Sequence, residues 1–164
     1  MLSGQQMRMF SKVDPSLNAA VRGDKVVLVR ADPTDESQRW IQDHDNVGRV
    51  TDAQGRRAFA LVNVATGKAL VHARGKLQLA PYAGHDGVEI SKLWSLGVKF
   101  DDGFCEVRDL SNMDRTINVT GGMGVDLVRY HKSELTYDFT VWKIVPSPAS
   151  DPRRFSVPMT ATQR

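Results

Sequence analysis

The side chains able to make or break bonds are few and poorly framed. Cys105 is the one cysteine in 164 residues. As a nucleophile it would need a histidine brought to it and an oxyanion hole, and no nucleophile-elbow motif surrounds it. A half-buried strand cysteine is the better reading. His44, His72, His85 and His131 show no metal-ligand spacing, so no metal or other cofactor is expected. Asp101-Asp102 precedes a glycine and reads as turn chemistry. Gly121-Gly122-Met123-Gly124 lies between two apolar stretches, whereas phosphate-binding glycines open a helix, so it reads as a hairpin turn. The chain is not expected to be an enzyme. What remains is non-covalent recognition: Gln78 has a carboxamide able to bond two adjacent hydroxyls, Tyr82 has a ring face, and His72, His85 and Asp86 lie close by in sequence. Each has a plainer reading as well. Gln78 alternates with Leu77 and Leu79 as the outward residue of a strand would, and Tyr82 after Pro81 can serve loop packing.

These residues sit in the middle of a repeated unit. From Phe59 to Trp94 run Phe59-Ala60-Leu61-Val62-Asn63, a turn at Ala65-Thr66-Gly67, Ala69-Leu70-Val71-His72, a turn at Arg74-Gly75, Leu77-Gln78-Leu79, a polar loop, and Lys92-Leu93-Trp94. The same grammar leads from Val21 to Trp40 and from Val119 to Trp142. The tryptophans recur 54 and 48 residues apart, and the pairs Val26/Leu28, Leu77/Leu79 and Val125/Leu127 recur 51 and 48 apart. A unit of this size cannot bury its apolar face alone, so the copies share one core. Three copies built of strand and turn predict an all-β fold, a β-trefoil over residues 5–146 with repeats of about 5–50, 51–100 and 101–146. Trp40, Trp94 and Trp142 are expected in the core, and Gln38 on a local backbone group. The turn Arg22-Gly23-Asp24 is a second, shallow candidate site. Three prolines from Pro146 to Pro152 cannot join a ladder, and few apolar groups follow, so 147–164 is expected to be a flexible tail.

Composition bounds the rest. Hydrophobic residues make up 41% and charged residues 25%, as in ordinary single-domain proteins. The net charge of +3 is scattered through turns, so neither nucleic acid nor a membrane is expected as partner. A single cysteine fits a reducing compartment, and the amino terminus lacks the apolar run of a signal peptide. Asn118-Val119-Thr120 is a glycosylation sequon inside a predicted strand, a chance occurrence.

The runs Val26 to Trp40, Phe59 to Ala69 and Trp142 to Pro146 resemble the Euonymus lectin (EUL) domain family of plant ricin-B-like lectins. The resemblance implies a glycan-binding β-trefoil without catalysis, in cytoplasm and nucleus, often tied to stress responses. It implies glycans or glycoproteins as partners, and shallow sites that gain strength from a homodimer or a larger glycan. In the third repeat the family's acidic residue after the Leu-Asn-hydrophobic strand is Thr120, its aromatic pair is Val128 and Tyr130, and its Asn-Gln is Phe139-Thr140. The middle repeat is then the better site. Gln78 would take adjacent hydroxyls, Tyr82 the stacking, and His72, at the place of the acidic anchor, or Asp86 the remaining hydroxyls.

Overall fold

A computed structural model describes residues 4–83, 89–129 and 137–148. Twelve strands lie among them, four per repeat. The first repeat holds β1 (Gln6–Ser11), β2 (Leu17–Arg22), β3 (Lys25–Arg30) and β4 (Trp40–Asp43). The second holds β5 (Ala60–Asn63), β6 (Lys68–Ala73), β7 (Lys76–Pro81) and β8 (Trp94–Lys99). The third holds β9 (Cys105–Asp109), β10 (Asn112–Val119), β11 (Val125–Arg129) and β12 (Val141–Pro146), preceded by the short helix α1 (Tyr137–Thr140).

The first and last strands of each repeat close a barrel. Strand β1 pairs with β4, β4 with β5, β8 with β9, β9 with β12 and β12 with β1, all antiparallel, and the bridge Phe59 to Trp94 completes the ring. The middle strands form the hairpins β2–β3, β6–β7 and β10–β11. They meet one another through the bridge Val27 to Gly124 and the Leu77 amide, which donates to Asp126 Oδ1 at 2.9 Å. This is the β-trefoil the repeats predict, and it leaves few open barrel edges.

The core repeats with the strands. Trp40, Trp94 and Trp142 are wholly buried. Each indole N–H donates to a carbonyl of its own hairpin: Ala19 O at 3.0 Å, Leu70 O at 3.1 Å and Ile117 O at 2.7 Å. A buried indole N–H left unpaired would be costly, so the three bonds are the condition for placing tryptophan there. Met9, Leu61 and Val107 fill a second equivalent layer of the same cluster. Across from the tryptophans in register stand Ser11, Asn63 and Asp109, all buried. Each accepts a backbone N–H from two residues on, Val13, Ala65 and Ser111, which starts the turn into the hairpin.

Local details depart from simple alternation. The last three residues of β1 are all buried, because Phe10 also packs edge-on against Phe104, 5.8 Å between centroids, while Ser11 turns inward. Residues 45–47 make a 3-10 turn between β4 and β5. The fold runs one residue past the expected boundary: Ser147 is buried and its N–H donates to Gln6 O at 2.8 Å. The rest of the expected tail, beyond Pro148, lies outside the described residues. Asn118 is buried and bonded to Thr116 and Thr140, which suits a strand and not a surface acceptor.

Candidate functional site

Hairpin register decides which face each candidate meets. Ala19, Leu70 and Ile117 hold equivalent places, so the residues two further on, Val21, His72 and Val119, are equivalent too. Two of the three are core valines, which puts His72 on the core side. Its ring stands edge-on to Trp94, 5.2 Å between centroids. Its Nε2 lies 3.0 Å from both Ile90 O and Asp109 Oδ1. A carbonyl and a carboxylate only accept, so Nε2 carries the proton and donates to both. The side chains keep 9% and 1% of their surface exposed. The position that the resemblance implies for an acidic anchor, aligned on Thr120, is one residue later: Arg22, Ala73 and Thr120. A shift of one residue reverses the face of a strand, which is why His72 points into the core and not toward a hydroxyl.

Tyr82 has a double allegiance. Its ring packs on the cluster of Val47, Ala58, Ala60, Val62 and Leu93. Its hydroxyl donates to Asp43 Oδ2 at 2.6 Å. Burial, followed by the bond to Asp43 and its charge, pushes the phenol well above its ordinary range. Asp43 is itself fixed, accepting the N–H groups of Asp45 and Asn46. Gln78, opposite Val71 on β7, is exposed, and its carboxamide has no partner among the described residues. Gln78 and Tyr82 share one side of the extended chain, about 13 Å apart along it. The structure does not bring either to His72. Asp86 and His85 lie outside the described residues.

The first repeat differs at the same corner. Arg22 donates to Asp35 Oδ2 at 2.9 Å and to the Ser37 hydroxyl. The Ser37 hydroxyl, and after it Arg22, holds the Asp35 carboxyl down at about 2. Gln38 is buried, accepts from Asn18 and the Asp32 N–H, and donates to Arg30 O, as expected of a residue serving local backbone. Burial pushes the Cys105 thiol up, away from reactivity. Among the described residues, no group of three His, Cys, Asp or Glu side chains could hold a metal ion, and no helix is long and apolar enough to cross a membrane.

Asp43 and Asp109, the partners of Tyr82 and His72, were not among the candidates. Asp109 carried a signal: it follows Ser11 and Asn63 at the repeat period, each at the mouth of a turn. Asp43 carried none: it shares its face of β4 with the apolar Ile41, and its partner Tyr82 lies 39 residues further on.

Solved structures place the architecture in the β-trefoil class. The designed threefold-symmetric protein ThreeFoil matches with a TM-score of 0.59 at 15% identity, covering 85% of this chain and 97% of that one. The BEL β-trefoil matches with 0.64 at 15%, covering 89% and 95%. No protein-family model matches the chain. Ricin B-like lectin R40G3 of Oryza sativa subsp. japonica is 32% identical over 151 residues, 85% of this chain and 72% of that protein. Ricin B-like lectin EULS3 of Arabidopsis thaliana is 34% identical over 151 residues, 85% of this chain and 47% of that protein. R40C1 of the same rice is 36% identical over 111 residues, 65% of this chain and 31% of that protein. The chain belongs to the ricin B-like lectin family. It spans about half, or less, of the length of EULS3 and R40C1.

Proposed function

We propose that the chain is a carbohydrate-binding module that holds a glycan without catalysis on the outer side of the middle repeat. Gln78 gives paired hydrogen bonds to adjacent hydroxyls, Tyr82 a stacking face, and Asp86 a contact from the following loop. The observation that carries this reading is Gln78: an exposed carboxamide with no partner among the described residues, on a strand of a lectin-family trefoil. His72 drops out of the ligand set because both its accepting neighbours are internal. The separation of Gln78 and Tyr82 exceeds one sugar ring, so the ligand is an extended glycan or glycoprotein chain. A shallow pocket holds a monosaccharide at millimolar affinity, about −4 kcal/mol, and a homodimer would add avidity. The setting is the cytoplasm and nucleus of a plant cell, in a stress response.

The test is a glycan array with the purified chain beside a Gln78→Ala/Tyr82→Leu variant. Leucine keeps apolar volume against the cluster under Tyr82, so folding survives. Loss of the bound glycans in a folded variant is expected. Undiminished binding would remove the middle repeat as the site. A second reading, a trefoil scaffold for protein partners, is favoured by one observation: Arg22, Ala73 and Thr120, equivalent in the three hairpins, are none of them acidic, where the resemblance implies an acidic anchor. A well-folded wild-type chain that binds nothing on the array would select it.

A further inference from the structure

The connection between the first two repeats and the edge of the third bring two guanidinium groups to one neutral oxygen. Arg56 and Arg108 both donate through Nη1 to Gln54 Oε1, Arg108 at a long 3.5 Å, and both bonds lie at the surface. Neither end of this arrangement is loose. The turn that carries Gln54 and Arg56 is built on buried Asp52, whose Oδ1 accepts the Gln54 N–H at 2.8 Å and the Arg56 N–H at 3.0 Å. Arg108 is laid along the sheet by Glu106 Oε1, which accepts from its Nε at 3.1 Å and its Nη2 at 2.8 Å. Beneath them is Gly97, in the irregular register between β8 and β9. A Cβ there would come within 2.9 Å of Arg108 Nε and 3.0 Å of Glu106 Oε1, so any larger residue would push the pair off the sheet.

Two cations brought this close repel unless an acceptor lies between them, and here the Arg108 guanidinium and the Arg56 backbone are held in place. A carboxamide oxygen is a weak one, carrying only a partial charge. An anionic oxygen in that place would gain a charge-assisted bond from each arginine, with Arg108 already oriented by Glu106. Glu106 already satisfies the other side of Arg108, leaving Nη1 as the group directed to the gap.

We propose that Arg56 and Arg108 form a subsite for a tetrahedral oxyanion, a sulfate ester or phosphate monoester carried on an acidic saccharide, with Gln54 Oε1 standing where one ligand oxygen would bind. The saccharide carrier rests on the glycan reading above; the oxyanion site does not. The ligand swings Gln54 aside and bridges the two guanidinium groups. Its affinity falls with ionic strength, since the site is open to screening.

The experiment follows backbone amide NMR shifts of the full chain during titration with inorganic sulfate, then with a sulfated and an unsulfated disaccharide, at matched ionic strength in chloride. Saturable shifts at Gln54, Arg56 and Arg108 are expected with sulfate. They should weaken about tenfold or more in Arg56→Gln, the loss of one charge-assisted bond. Gln54→Glu, which places a carboxylate permanently between the arginines, should melt higher and show no sulfate response. Chloride reproducing the shifts, Arg56→Gln keeping them, or Gln54→Glu still responding would each overturn the site. Equal affinity for the two disaccharides would overturn the acidic-saccharide assignment. Inorganic sulfate binding with neither disaccharide bound would uphold the site and remove the saccharide as its carrier, while the glycan reading stands or falls on Gln78 and Tyr82.

Discussion

The first and middle repeats share a backbone and part company at their polar corners. In the first, Arg22 reaches from the end of β2 across to Asp35 and Ser37, and Gln38 ties the same loop to Asn18 and Arg30. The hairpin and its loop are knitted together on the outside. In the middle repeat Ala73 stands at the place of Arg22 and can tie nothing. The polar link there runs inside, from His72 to Asp109 and Ile90, while β7 leaves Gln78 facing solvent. The apolar layers and the indole bonds hold the same trefoil in either case. Polar corners that are not needed for the fold are therefore free to be closed in one copy and open in another.

The apolar frame is tested by the largest effect. Trp94→Ala should cost about 3–5 kcal/mol through the cavity and the lost indole bond, and Trp40→Ala should cost the same within error, read as urea-unfolding midpoints. A large inequality would mean that the frame is not shared and that one repeat carries the core. An unchanged midpoint for Trp94→Ala would contradict its place in the core altogether.

The inner corner comes next. His72→Val restores the residue of the other two repeats but leaves the Asp109 carboxylate, 1% exposed, with the Ser111 N–H and hydroxyl and without its ring partner. Losing one donor to a buried carboxylate that keeps its others costs about 1–3 kcal/mol. Adding Asp109→Asn supplies the amide that Asn63 provides in the equivalent place, where its Nδ2 donates to Ser37 O at 2.8 Å. The double variant should therefore recover to within about 1 kcal/mol of wild type, since its polar groups are again paired. If His72→Val alone is neutral, the His72–Asp109 pair is not what holds the middle repeat's corner.

How much of this was legible depended on whether a residue acts through its own period or through a distant neighbour. Trp40, Trp94 and Trp142, with the paired apolar positions of β3, β7 and β11, repeat at nearly fixed spacing, so the trefoil and its core could be read directly. Gln38 was legible too, because its partners are close in sequence. His72 was not, because facing is set by hairpin register, and an alternating strand shows two faces without saying which is inward. Comparing it with Val21 and Val119 resolves the matter, once the pairing is known. Tyr82 was half legible: its place at the end of β7 is evident, but its acceptor Asp43 lies 39 residues earlier, on β4.

The smallest effects separate the outer corner of the first repeat from Tyr82 of the second by pH. Asp35, held at about 2 against about 3.9 for a free aspartate, stabilises the folded chain fully above the higher value. That contribution is lost as the pH falls from about 4 toward 2, because the unfolded chain then binds the proton first. Tyr82 has the opposite sense. Its folded pKa is raised, so its contribution is complete below the free phenol value of about 10 and is lost as the pH climbs beyond it. Asp35→Asn should flatten the acid limb of a stability-against-pH curve and leave the alkaline limb alone. Tyr82→Phe should flatten the alkaline limb and leave the acid one, each by a fraction of a proton in slope. Asp35 keeps 25% of its side-chain surface exposed, so its share is further screened by salt. If either variant altered both limbs, the two corners would be coupled through the barrel, and the independence of the repeats' polar links would fail.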